Sequence, residues 1–293
     1  MIKARPQYAG QFDIVQIQDF ENPGGLTEAV KGVDGIIHTA SVSRPANRRL
    51  DQKLTVLSYT IAIDRQLKAA STNPSIRRIV ITSSFASVVD INRKGPPYFT
   101  HTGKDWNPLT YEEAADPATT AVVAYRGSKK FAELEAWNYV KNNKPSFDLV
   151  ALCPPMTFGP VVHSVANVDQ LNKTDSMLWS VAAGKSPLPT VHVPFWIDVR
   201  DLAIAHVEAL LREEAGGKRY IPASPHEFSY SQAADIIAAS FSSLKEVVSK
   251  ERQAIEDNHG VDGETAAKEL EYGYHSFEDT VKDFVTRALG ISK

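Results

Sequence analysis

The feature that most constrains this chain is an alternation. Short apolar runs end in small or polar residues, and each is followed by a longer stretch with helical spacing. Phe12-Asp-Ile-Val-Gln-Ile-Gln18 alternates apolar and polar positions and ends at Asp19, the pattern of a half-buried strand. Pro23-Gly24-Gly25 punctuates the chain, and a short helix is expected from Leu26 to Lys31, stopped by Gly32. Gly35 to His38 is the next expected strand and runs into Thr39-Ala40-Ser41. Leu50, Leu54, Leu57 and Ile61 then mark one face of a helix that reaches about Ala70. Arg78 to Thr82 is a compact buried-type strand that ends at Ser83-Ser84. A polar, Pro-rich loop is expected over about residues 92–120 and a helix from near Tyr125. Phe147 to Cys153 is a further strand, stopped by Pro154-Pro155.

Strands separated by helices of this length specify βαβ units and an α/β fold with a parallel sheet. Ligands of such sheets sit beyond the carboxyl ends of the strands. The residues to inspect are therefore Asp19, Thr39 to Ser41, Ser83, Ser84, and Pro154 to Thr157. After Gly159-Pro160 the pattern becomes more helical and irregular, with few strands. The expected organisation is one unit over residues 1–155 and a smaller, mainly substrate-binding lobe over 156–293, some segments of which return to the first unit. No internal repeat or low-complexity segment is visible.

Composition narrows the partners. With 32 Lys+Arg against 35 Asp+Glu the formal charge is −3, and basic residues cluster only in pairs such as Arg48-Arg49 and Arg77-Arg78. Nucleic acids and acidic membrane surfaces are not expected partners, because the electrostatic footprint they need is absent. No apolar run approaches the roughly 20 residues of a membrane span, and the first residues lack the apolar stretch of a signal peptide. Cys153 is the only cysteine, which suits a reducing compartment, so a cytoplasmic location is expected and the Asn172-Lys-Thr174 sequon carries no glycan. The eight histidines show no metal-ligand spacing, and no metal is expected. No stripe or heptad encodes an oligomeric state.

Tyr125-Arg-Gly-Ser-Lys129 places a phenol and an ammonium on one face of a helix, with Ser84 upstream at a strand's carboxyl end. Together a Ser, a Tyr and a Lys supply what carbonyl reduction needs. The ammonium favours the phenolate and lowers the Tyr pKa, and the Ser hydroxyl can hydrogen-bond the oxygen on which charge develops. Spacing alone leaves open a plain surface i,i+4 pair and a serine that merely ends a strand. Other residues have duller readings. His38 reads as a satisfied core histidine, and Cys153 as a buried, inert thiol. Asp201 reads as the cap of a helix starting at Leu202, rather than as one of a carboxylate pair with Asp198. Met156 and Phe158 suit a pocket wall or the core equally, and Ser43-Arg44-Pro45 suits a substrate loop or a solvated one.

Ile79-Val-Ile-Thr-Ser-Ser-Phe-Ala86, Trp106-Asn-Pro108, Ala124-Tyr-Arg-Gly-Ser-Lys-Lys-Phe-Ala-Glu133, Pro154-Pro-Met-Thr-Phe-Gly-Pro160 and Trp196-Ile-Asp-Val-Arg-Asp201 occur in this order along nearly the whole chain. In them the sequence resembles the extended short-chain dehydrogenase/reductase superfamily of the NAD-dependent epimerase/dehydratase type. Within it the likeness is to the dihydroflavonol-4-reductase-like group, and to fungal NADPH-dependent aldehyde and methylglyoxal reductases. The resemblance implies a Rossmann-like doubly wound sheet, NADP(H) in preference to NAD(H), and a small carbonyl substrate. It makes Ser84 the residue that orients the carbonyl, Tyr125 the general acid, and Lys129 the holder of the nicotinamide ribose. Asp19 and Phe20 match the pair that meets the adenine, Ala40 and Ser41 the cofactor-lining turn, and Pro154, Pro155, Met156 and Thr157 the segment near the nicotinamide.

The sequence departs from that pattern in one respect. No Gly-rich turn of the G-x-G-x-x-G or G-x-x-G-x-x-G type stands between a first strand and a first helix, where backbone amides would approach a pyrophosphate. Residues 1–10 resemble the end of the family's second helix. The expectation is therefore a sheet lacking its first strand, first helix and second strand, a deficit of roughly 40–50 residues, more than one βα unit. The leading reading is an NADPH-dependent reductase of aldehydes or ketones, impaired by N-terminal truncation. The alternatives are a sugar-nucleotide epimerase or dehydratase, and a catalytically silent binding protein.

Overall fold

The computed structural model describes residues 6–11, 13–17, 23–40, 52–93, 98–255 and 259–291. In chain order the elements are α1 (Pro23–Ala29), β1 (Gly35–His38), α2 (Gln52–Ala70), β2 (Arg78–Thr82), β3 (Phe99–His101), α3 (Tyr111–Ala115), α4 (Ala121–Asn143), β4 (Asp148–Leu152) and β5 (Met156–Phe158). There follow α5 (Lys173–Ala182), β6 (Trp196–Asp198), α6 (Val199–Leu211), β7 (Arg219–Tyr220), α7 (Tyr230–Ser240), β8 (His259–Val261), α8 (Glu264–Glu269) and α9 (Phe277–Ile291).

Strands β2 and β4 are apolar at consecutive positions because both faces of their sheet are covered, the signature of a parallel sheet in an α/β protein. Successive side chains alternate between the faces. Ile79, Ile81, Leu149 and Ala151 pack with Ile63, Leu67 and Ala70 of α2 and Ala136 and Tyr139 of α4. Val80, Val150 and Leu152 pack on the other face with Ala205 and Ala209 of α6, Tyr220 of β7, and Ala266 and Leu270. Each fully buried Leu contributes roughly 1.5–3 kcal/mol relative to exposure. The strand order is β1-β2-β4-β7, and every pairing is parallel. Register is fixed where Arg78 stands opposite Asp148. Its Nε and Nη2 donate to the two carboxylate oxygens at 2.6 and 2.8 Å, and Nη1 donates to Ala209 O at 3.1 Å and to Arg212 O. One guanidinium thus ties β2, β4 and the end of α6.

A second core lies among residues after the sheet's central strands. Phe158, Leu178, Trp196, Phe228, Tyr230, Ile237, Val281 and Phe284 form it. Phe158 meets Phe228 edge to face at 5.0 Å and Trp196 meets Phe277 at 4.9 Å, a geometry aromatic quadrupoles favour. Two short parallel pairs, β5 with β6 and β3 with β8, complete the described sheets.

Several sequence expectations are corrected. Residues 13–17 join no sheet, and Ile14 and Val15 are 65% and 51% exposed. Among the described residues no strand lies beside them to bury their apolar side. The first helix spans Pro23–Ala29 rather than 26–31. The buried side of α2 is Val56, Ile63, Leu67 and Ala70, while Leu57 is exposed, because α4 and the sheet cover that stripe and not the Leu57 one. The span 92–120 is not all loop, since it holds β3 and α3. α4 begins four residues before Tyr125, at Ala121, where the Thr120 hydroxyl accepts from Val123 N–H. Asp198, not Asp201, caps α6, and it accepts from Arg200 N–H at 2.8 Å. Asp201 lies inside the helix and accepts from His275 Nδ1 at 2.5 Å. Phe158 belongs to the second core.

Gly127 shows how closely α3 and α4 approach: a Cβ there would stand 2.1 Å from Ala114 Cβ. In an isolated helix Gly→Ala gains up to about 1 kcal/mol, but overpacking costs about 1–3 kcal/mol. Gly127→Ala is therefore expected to destabilise the chain by about 1–2 kcal/mol, read as a lower urea midpoint with an unchanged slope.

Candidate active site

Capping at Thr120 fixes the phase of α4, so that Tyr125, Lys129 and Glu133 recur every four residues along one face. Ser84 leaves the carboxyl end of β2 in extended conformation, and its Oγ accepts from Ala86 N–H at 3.1 Å, starting a 3-10 turn over Phe85–Ser87. Phe85 N–H donates to Pro154 O at 2.9 Å, which joins the turn to the segment after β4. Asn107 donates from Nδ2 to Ala86 O at 2.7 Å, and Lys130 Nζ donates to Asn107 O and Leu109 O at 2.8 and 2.7 Å. The Trp-Asn-Pro motif is thus a strut between the serine turn and α4.

These constraints bring Ser84, Tyr125 and Lys129 together. The Ser84 hydroxyl faces the Tyr125 phenol and tempers the rise of its pKa. Lys129 Nζ lies 6.0 Å from the centre of the Tyr125 ring and 5.2 Å from that of Tyr59 on α2. Burial pushes the Lys129 ammonium down to about 8, against the opposing pull of Cys153 and Glu133. No carboxylate pairs with it at ion-pair distance among the described residues. Burial raises the Tyr125 phenol above its ordinary value, the Ser84 hydroxyl opposes that rise, and Tyr59 adds to it. The expectation of a tyrosine lowered by lysine is therefore corrected for the protein alone. Tyr125 is 42% exposed, yet the surroundings of its phenol hold the proton on it at neutral pH.

A cleft opens beside this group, lined by His38, Ala40, Tyr59, Ser83, Lys129 and Glu133 among others. His38 is a cleft residue rather than a satisfied core one, and its imidazole is pushed down to about 4, by burial first and by Lys129 second. It is neutral whenever Lys129 is charged at neutral pH. Of the residues expected to touch a cofactor, Ala40 lines the cleft. Pro154 is buried, Pro155, Met156 and Thr157 are half-buried, and none of these four borders it. Asp19, Phe20 and Ser41, and the Ser43-Arg44-Pro45 stretch, lie outside the described residues. Cys153 is fully buried and its thiol is pushed up to about 12 by burial, so the reading of it as inert holds.

Two charged residues carry no role in the sequence reading. Glu133 and Arg219 of β7, with 1% and 7% of their side chains exposed, form an ion pair at 2.5 Å. Glu133 Oε2 also accepts from Ser83 Oγ at 2.5 Å and Ser87 Oγ at 2.8 Å, and Oε1 from Trp137 Nε1 at 3.2 Å. Arg219 stacks over Trp106 at 3.8 Å and donates to Ser87 Oγ at 2.9 Å. Glu133 sits in a quoted motif, but nothing local reveals that its partner lies 86 residues on.

A doubly wound parallel sheet with a Ser, a Tyr and a Lys meeting at its carboxyl edge defines an oxidoreductase of the dinucleotide-dependent class. Residues 6–215 match the profile of the 3-beta hydroxysteroid dehydrogenase/isomerase family, and the chain belongs to that family. It is 32% identical to the ketoreductase azaE of Aspergillus niger over 94% of this chain and 82% of that protein. It is 28% identical to an NADPH-dependent methylglyoxal reductase of Candida albicans over 99% of this chain and 86% of that one. The crystal structure of yeast methylglyoxal/isovaleraldehyde reductase Gre2 complexed with NADPH superimposes with a TM-score of 0.83 at 25% identity, covering 98% of this chain and 88% of that one. Among the described residues no helix is long and apolar enough to cross a membrane, and no cluster of His, Cys, Asp and Glu is fit to hold a metal.

In competitive acetylation read by peptide mass spectrometry, Lys129 is expected to gain reactivity through about pH 8, below the ordinary lysine value of 10.5. Between those values the unfolded chain binds more protons than the folded one. The contribution of Lys129 to stability therefore rises with pH across that window.

Proposed function

We propose that the chain is an NADPH-dependent reductase that converts an aldehyde or ketone into an alcohol. The observation that carries the reading is the Ser84 hydroxyl facing the Tyr125 phenol, beside a half-buried Lys129 that lines a cleft and makes no ion pair among the described residues. Relatives named as ketoreductases and as NADPH-dependent methylglyoxal reductases support it.

The site suits a nicotinamide nucleotide. Lys129 is a cation with no ion-pair partner among the described residues and would hold the hydroxyl groups of a ribose, and His38, Ala40 and Tyr59 give the cleft a neutral wall. When bound, NADPH supplies the hydride. Tyr125 holds a proton at neutral pH and delivers it from Oη to the carbonyl oxygen as that oxygen becomes negative. Ser84 Oγ donates a hydrogen bond to the same oxygen and fixes the carbonyl against the phenol. Lys129, still charged below about pH 8, favours the phenolate left behind. Asp19, Phe20, Ala40, Ser41 and Pro154 to Thr157 complete the proposed cofactor contacts. Residues 1–155 serve as the nucleotide-binding unit and 156–293 as the substrate lobe, with β7 returned to the main sheet. The lone, buried thiol suits the reducing cytoplasm.

The test is NADPH consumption by the purified chain against aldehydes, ketones and nucleotide sugars, with calorimetric titration of NADPH alongside. Consumption with simple carbonyls is expected, falling about 10²–10⁴-fold in Tyr125→Phe with NADPH affinity kept. Turnover of nucleotide sugars without net NADPH loss would transfer the chain to the epimerases. Failure to bind NADPH would make it a silent relative of the reductases.

A further inference from the structure

We infer that Glu133, locked by Arg219, is a positioning residue of this site. It grips the serine turn on both sides of Ser84 and holds it in register with the helix that carries Tyr125 and Lys129. The inference deepens the reductase reading and rests on it for its kinetic test, whereas its test by lysine titration does not.

The argument is geometric. Ser84 Oγ accepts from Ala86 N–H and faces the Tyr125 phenol, while Ser84 O accepts from Ser87 N–H at 2.9 Å and from Ser87 Oγ at 2.7 Å. Its neighbours carry the load. Ser83 Oγ donates to one carboxylate oxygen of Glu133 at 2.5 Å, and Ser87 Oγ lies 2.8 Å from the same oxygen with its single proton shared between it and Ser84 O at 2.7 Å. That oxygen is therefore a pivot between the end of β2 and the middle of α4. The opposite oxygen takes Arg219 Nε at 2.5 Å, and Arg219 Nη2 reaches back to Ser87 Oγ at 2.9 Å. Arg219 is itself fixed by the carbonyls of Gly103 and Asp105 and by the Trp106 ring. Serine turn, Trp-Asn-Pro strut, β7 and α4 therefore converge on one buried carboxylate.

Glu133 lies one helical turn beyond Lys129, and both border the cleft. The groups facing Lys129 are His38 of β1, Tyr59 of α2, Cys153 after β4, and Tyr125 and Glu133 of its own helix. With His38 neutral and Cys153 protonated, Glu133 is the anion that opposes loss of the Lys129 proton. The carboxylate thus has two tasks, one of distance and one of charge, and two variants separate them. Glu133→Gln removes the charge and keeps the shape. Ser83→Ala removes one grip and keeps the ion pair.

Competitive acetylation of Lys129 against pH reads the charge task and needs neither cofactor nor turnover, so it stands even where the reductase reading fails. Glu133→Gln is expected to move the Lys129 midpoint to lower pH, and Ser83→Ala to leave it in place. Steady-state kinetics reads the distance task. Ser83→Ala is expected to lower kcat about 10-fold at unchanged KM, since displacement of an aligned group by an ångström costs up to about 10²-fold. An unmoved Lys129 midpoint in folded Glu133→Gln overturns the charge task. Wild-type kcat in Ser83→Ala overturns the distance task, and that variant decides alone if Glu133→Gln does not fold.

Discussion

Two buried charges at the seam between the sheet and α4 hold the rest of this structure in place. Glu133 and Arg219 are both almost wholly withdrawn from water, and an unpaired charge there would be intolerable. Breaking such a pair by removing one partner costs about 3–5 kcal/mol. The pair endures because every remaining lone pair and N–H is used, by Ser83, Ser87, Trp137, Gly103 and Asp105. Those partners come from the serine turn, the loop that leads into the Trp-Asn-Pro strut, and α4 itself. Satisfying two charges therefore fixes the mutual placement of the serine turn, the Trp-Asn-Pro strut, the last sheet strand and the helix of the reactive tyrosine.

The sheet beneath imposes a simpler demand. β2 and β4 have no face left for water, so each alternate residue must meet a helix: α2 and α4 on one side, α6 on the other. Arg78 adds direction by bridging Asp148 and the carboxyl end of α6, which pins register where dispersion alone would be indifferent. With register fixed, β2 ends at Thr82 and the chain emerges at Ser83-Ser84 beside α4. The site is a consequence of where two strands stop.

Its chemistry follows from unequal burial. Lys129 is pushed towards neutrality and Tyr125 away from ionisation by the same low-polarity surroundings. A protonated phenol beside an amine that still carries its charge at neutral pH is poised to give a proton rather than take one, which is the reductive direction. His38 on the opposite wall stays neutral and adds no competing charge. The family likeness agrees with the geometry, and the nearest chemistry among its named relatives is reduction of small carbonyl compounds.

Much of this was legible in the sequence, for a physical reason. Continuous apolar runs such as Ile79 to Ile81 and Leu149 to Leu152 can be satisfied only by a sheet covered on both sides, and the i,i+4 spacing of Tyr125 and Lys129 is local geometry. Ser84, Tyr125 and Lys129 could therefore be picked out before any coordinates. Residues 13–17 misled because alternation predicts a strand only where a neighbour exists to pair with. The α2 stripe was read one face out because Leu57 and Val56 are equally apolar, and what covers them decides which is buried. Glu133 with Arg219, and the net directions in which Lys129 and Tyr125 are shifted, belong to the tertiary structure. Pairing over 86 residues and desolvation are properties of what surrounds a group, and a one-dimensional chain carries no record of its surroundings.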